Sequence, residues 1–153
     1  MSSVAALDWS ALLLASSEEV LETMFFISIL GVSSGPLLGE AISASLRFEG
    51  IPSGSFTINL STGSASEMAA TFLGVEAELV TNDQLDQVVG ELANMICGNA
   101  LSRAALGKTL NLTHPEIARA SSSAHFNASR SIGLEIENGF LEIFLDFDTN
   151  SAR

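Results

Sequence analysis

Glu91 and Asn94 are the residues of this 153-residue chain whose types and spacing best offer chemistry. They lie in the string Gly90-Glu91-Leu92-Ala93-Asn94-Met95-Ile96-Cys97-Gly98-Asn99, inside a run of apolar residues at helical spacing. Residues three positions apart share one face of a helix. Take Leu92 as the centre of the buried face and step about 100° per residue. Leu85, Val88, Val89, Met95 and Ile96 then fall on the same side, and Gln87, Glu91, Asn94 and Gly98 fall opposite. The outer face thus carries a carboxylate and, one turn on, an amide that can both donate and accept hydrogen bonds. Gly98 follows without a side chain, at a cost of about 1 kcal/mol relative to alanine in a helix. Close approach by another surface is one reason for it, and tight helix–helix packing is another. By spacing alone, most such acid–amide pairs are solvated and do nothing.

Other candidates offer less. Cys97 lies on the opposite flank of the helix from Glu91 and has no basic neighbour in sequence to activate it, so it reads as a structural thiol. His114 and His125 are too far apart in sequence to suggest a metal site, and no His or Cys cluster supports them. Asn99 falls on the buried side and is expected to cap or bond backbone. Ser121-Ser122-Ser123 reads as a loop, and no phosphate-binding glycine loop occurs.

The pair must be held by the elements around it. Thr81 and Gln84 form an expected capping box at the start of the main helix, which runs to about Ala105 with Gly107 as its stop. Asp8 to Phe26 reads as a first helix, and Phe26 to Val32 as extended before a turn at Ser33-Ser34-Gly35-Pro36. Ile42, Ala44, Leu46 and Phe48 alternate with polar residues, as do Phe56, Ile58 and Leu60, which predicts a hairpin across Gly50–Gly54. Ala65 to Leu73 reads as a short helix capped by Ser64, with Glu67 completing a capping box. Ile132, Leu134 and Ile136 alternate toward Asn138-Gly139, the expected type I′ turn, and Leu141, Ile143, Leu145 and Phe147 follow. That turn would set Ile136 opposite Leu141, Leu134 opposite Ile143 and Ile132 opposite Leu145. The reverse face would carry Phe140 and Phe144 among acids, either toward a partner or beneath a helix. A faint repeat lays Val20-Leu21-Glu22-Thr23-Met24-Phe25 on Glu91–Ile96, with Val20 and Thr23 in place of the polar pair.

Composition bounds the class. Hydrophobic residues make up 47% and charged residues 16%, which excludes a disordered chain. The longest apolar run, Met24–Leu30, is interrupted by Ser28 and is too short to span a membrane. A net charge of −12 argues against nucleic acid and anionic membrane surfaces as partners. The lone cysteine and the absence of a basic leader fit a cytoplasmic protein. Sequons at Asn59, Asn111 and Asn127 read as chance matches.

The stretch from Asp86 to Ala100 resembles the signature helix of the CheC/CheX chemotaxis phosphatases, and Val20-Leu21-Glu22-Thr23-Met24 is similar to that family's N-terminal helix. The order of helix, hairpin, helices and closing hairpin extends the resemblance over roughly the whole chain. It implies a single domain over residues 1–153 of α/β (α+β) class, with long helices packed on an antiparallel sheet built from two related halves. It implies hydrolysis of the aspartyl phosphate of a CheY-like receiver domain, with the helix inserted into the receiver's site. Glu91 would pair with the receiver's active-site lysine, and Asn94 would orient the attacking water. The chain would need no cofactor of its own, since the Mg²⁺ belongs to the receiver. A homodimer through sheet edges is also implied. The sequence departs from the family at Gln87, where several members carry Asp or Ser, and Asp86 lies one place off. Pro115 lies near a family proline position. The alternative is a non-catalytic receiver-binding or scaffold module of the same fold.

Overall fold

The alternating hairpins form the centre of an antiparallel sheet whose apolar face is covered by helices. A computed structural model describes residues 7–33, 39–106, 110–121 and 130–149. The elements are α1 (Trp9–Met24), β1 (Ile29–Val32), β2 (Glu40–Glu49), β3 (Gly54–Ser61), α2 (Thr62–Leu73), a 3-10 turn (Ala77–Leu79), α3 (Asn82–Arg103), β4 (Asn111–Leu112), β5 (Glu116–Ser121), β6 (Arg130–Ile136) and β7 (Gly139–Phe147). Most of the expected Ser33–Pro36 turn, the stop at Gly107, and Ser122, Ser123, His125 and Asn127 lie outside the described residues.

The seven strands are ordered β1-β6-β7-β3-β2-β4, with β5 also on β2. This order carries the repeat that the sequence only hints at. Strands β1, β2 and β3 correspond to β5, β6 and β7. Each half forms its own hairpin, β2–β3 and β6–β7, and the two hairpins join through β3 and β7. The leading strand of each half then pairs with the other half: β1 with β6, and β5 with β2. The halves interlock, so the sheet is complete only when both are present.

The inward strand residues, Ile42, Leu46, Phe56, Ile58, Leu134, Leu141 and Ile143 among them, share one core with Leu13 and Leu21 of α1, Met68 of α2, and Leu92 and Ile96 of α3. Burial of each such side chain contributes roughly 1.5–3 kcal/mol. The first helix is capped by Asp8, whose carboxylate accepts from the Ala11 amide at 3.1 Å. No described helix is long and apolar enough to cross a membrane.

Three local expectations are corrected. The last hairpin turns one residue earlier than expected: Ile136 pairs with Gly139, Leu134 with Leu141 and Ile132 with Ile143. Glu137 and Asn138 form the loop, and Asn138 takes the left-handed φ of 66°. The slip of two residues in partner keeps the same side chains inward, whereas a slip of one would have inverted the face. Ser64 is not a cap, because α2 starts at Thr62 with Ser61 as its N-cap. Both serines instead hold the end of the hairpin. The Phe140 amide donates to Ser61 Oγ (2.9 Å), Ser61 Oγ donates to Ser64 Oγ (2.9 Å), and Ser64 Oγ reaches the Glu137 carbonyl (3.2 Å). Glu67 accepts from Asn138 rather than closing a capping box. Finally, the sequence predicts no strand between α3 and the last hairpin, yet β4 and β5 both pair with β2. Glu116–Ser121 has little apolar alternation and becomes a strand because β2 offers it an edge.

Gly139 shows why this corner is tight. A Cβ there would lie 1.9 Å from Ser61 Oγ and 2.5 Å from Ser64 Oγ. Gly139→Ala is therefore expected to lower stability by about 1–3 kcal/mol through overpacking. Urea denaturation checks this, and an unchanged midpoint would contradict the packing described.

Candidate functional site

The helix α3 carries the acid–amide pair, and its start is defined by a complete capping box. Thr81 Oγ1 accepts from the Gln84 amide at 3.1 Å, and the Gln84 side chain accepts from the Thr81 amide at 3.0 Å. Val88, Val89, Leu92 and Ile96 face the core, and Ala93, Cys97 and Ala100 are buried as well. The exposed strip is consequently narrow. Gln87 and Glu91 lie open on it, while Asn94, expected to be exposed, is half-buried.

The structure brings this strip against a second wall. Asp86, Gln87, Gly90, Glu91 and Asn94 line a groove of about 420 Å³ with His114, Pro115 and Ile117. A Cβ on Gly90 would already touch Pro115 Cβ at 3.4 Å, so the helix passes flush against this segment. Arg119 of β5 binds the Asp86 carboxylate and reaches the Asn82 carbonyl at 3.5 Å. The site is thus a ridge of α3 facing the chain that leads into β5. Glu91 and Asn94 line one and the same space.

Gly98 is different from Gly90. A Cβ there would meet nothing within 4 Å. Among the described residues no tight packing explains it, and the surface beyond Asn94 is left open by them.

The remaining sequence candidates fall outside the groove or behave as structure. Cys97 is fully buried, and burial pushes its thiol pKa up to about 12, so no thiolate is available. Asn99 does not bond backbone as expected. It joins a surface cluster in which its amide donates to Glu19 of α1 and its oxygen accepts from Arg103 Nε at 2.7 Å. Those bonds, with Arg103 at 3.0 Å, hold the Glu19 carboxyl below the usual carboxylate range. Among the described residues no group of three or more His, Cys, Asp and Glu is arranged to hold a metal. In α1, Val20 is buried and Thr23 exposed. The position matching Glu91 therefore serves packing, and the first half carries no equivalent acid–amide pair.

His114 and Pro115 are the groove residues that sequence reasoning left aside. Sequence spacing speaks for His114 only as a weak metal ligand, and the family resemblance places Pro115 only near a proline position. The dipeptide itself is the signal that was present. A residue before proline is held extended, so His-Pro ahead of a strand marks a fixed entry to it.

Comparison with known proteins adds to this geometry. Residues 42–136 match the family described as chemotaxis phosphatase CheX, a span that encloses Glu91 and Asn94. No curated protein matches the chain. Among solved structures, a chemotaxis protein CheX from Vibrio vulnificus is 23% identical with a TM-score of 0.76, over 93% of this chain and 97% of that one. A CheC-like superfamily protein from Shewanella sp. PV-4 is 22% identical with a TM-score of 0.70, over 93% and 98%. A chain of the CheX–CheY–BeF3–Mg complex from Borrelia burgdorferi is 17% identical with a TM-score of 0.62, over 92% and 97%. At these identities the structures speak for the fold. The family match covers well over half of the sequence, and the chain belongs to the chemotaxis phosphatase CheX family.

Proposed function

We propose that this chain hydrolyses the aspartyl phosphate of a CheY-like receiver domain, using Asn94 to orient the attacking water and Glu91 to anchor the receiver's lysine. The observation that carries the reading is the opening of both side chains into one groove on the outer strip of α3. Membership of the CheX family and the solved relative in complex with CheY support the choice of partner.

The chemistry asked of the chain is small. Water attacks the phosphorus in line, the P–O bond to the aspartate carboxyl breaks, and phosphate and a free carboxylate are released. The chain donates no nucleophile, and the Mg²⁺ resides in the receiver. Fixing the water and the receiver in one geometry can lower such a barrier by several kcal/mol. An amide suits this because it accepts one water hydrogen bond while donating another. Half-burial of Asn94 restrains its rotamers, which favours a positioned water over a wandering one. The Glu91 carboxylate adds charge and register to the docking of a lysine. The resemblance also carries a homodimer through a sheet edge, for which β1, with Leu30 and Val32 exposed, is an available edge strand.

Asn94→Ala is expected to slow dephosphorylation of a phosphorylated receiver about a hundredfold while the fold is retained. Phosphate release measured beside the wild type decides this, and equal rates would remove the mechanism. Glu91→Ala should weaken receiver binding about thirtyfold, the loss of one charged partner worth some 2 kcal/mol. Titration calorimetry with an unhydrolysed phosphate mimic on the receiver measures that loss, and unchanged affinity would contradict the anchor. Gly98→Leu should leave the melting temperature nearly unchanged, because the space is open, yet reduce receiver binding. Full binding by this variant would place the docking surface elsewhere.

A further inference from the structure

His114 stands in the groove wall opposite the acid–amide pair, and the backbone on both sides of it is clamped. On one side, the Thr113 amide donates to the Arg47 carbonyl at 2.8 Å, and Thr113 Oγ1 accepts from the Arg47 amide at 2.8 Å. On the other, Pro115 packs on Gly90, the residue next to Glu91, and β5 begins at once with Glu116 opposite Ser45. Proline further restricts the residue before it to extended conformations. The position of His114 relative to Glu91 is therefore set by contacts on either side of it. Its own side chain is exposed, and no other described residue bonds it.

The charges of the groove make this residue stand out. The lining acids are Asp86 and Glu91, in a chain of net charge −12. Arg119 is committed to Asp86. Among the described side chains lining the groove, His114 is the one that can carry a positive charge. In either protonation state an imidazole keeps at least one N–H donor. An anionic aspartyl phosphate brought into this acidic groove gains from such a donor.

We propose that His114 is a specificity-determining residue of this groove, donating a hydrogen bond to the phosphorylated receiver seated against Glu91 and Asn94. The proposal rests on the receiver-phosphatase reading and adds to it a contact from the β5 side. The pair on α3 supplies the water and the lysine anchor. The imidazole supplies the donor that favours the phosphorylated over the unphosphorylated partner.

The test is steady-state phosphate release from a phosphorylated CheY-type receiver, over a range of receiver concentrations, for the wild type, His114→Leu, His114→Gln and Asn94→Ala. Melting temperatures establish that each variant is folded. His114→Leu should raise KM roughly tenfold, the value of one lost hydrogen bond, and leave kcat within about twofold. His114→Gln, which keeps a donor, should recover most of the affinity. An unchanged KM in His114→Leu overturns the proposal, and so does a His114→Gln variant as weak as His114→Leu. Asn94→Ala reports separately through kcat. Its failure would remove the water-positioning role, while the KM of the histidine variants still decides this contact.

Discussion

The rotation of α3 about its own axis is the constraint on which the site depends. Leu92, Ala93, Ile96 and Cys97 have essentially no exposure, so the helix is packed on a broad arc and not on a single stripe. A turn by one residue would bring Glu91 inward, where no described cation is placed to receive it, and an unpaired buried carboxylate costs several kcal/mol. The core therefore holds the acid and the amide outward. Their directions are set by residues that never touch a partner.

The sheet that receives α3 exists only because its halves interlock. β5 pairs with β2 of the first half, and β1 with β6 of the second. β5 thus brings Arg119 to Asp86 and, just before the strand, Pro115 to Gly90. The groove wall is a by-product of that exchange. The chain turns a half-buried helix strip into a concave site by running the second half's leading strand along the first half's edge. The duplicated architecture is symmetric in strand order, yet the site is not duplicated, since Val20 has been absorbed into the core where Glu91 stays in solvent.

The same economy appears at the start of α2. Ser61 and Ser64, which as helix-start residues would cap, are used to hold the hairpin loop at Glu137 and Phe140. Gly139 has no room for a side chain because those hydroxyls occupy it. Close approach sets that glycine, and Asn138 takes up the left-handed turn position.

Local periodicity determined a good deal by itself. The spacing of Leu85, Val88, Leu92 and Ile96 sets both the buried side of α3 and the outward side of Glu91 and Asn94. Thr81 and Gln84 mark where that helix begins, and the alternation of Ile132, Leu134, Leu141 and Ile143 sets which side of the last hairpin is apolar. These features depend on residues a few positions apart, and a helix or strand imposes its period on them directly. The pairings of β1 with β6 and of β5 with β2, the use of Ser64, the bond from Asn99 to Glu19, the half-burial of Asn94 and the arrival of His114 in the same groove were decided only in three dimensions. Each joins segments far apart in the chain, and no local period encodes which distant surface will be there. The acid and amide were legible in the sequence, whereas the groove that encloses them belongs to the tertiary structure.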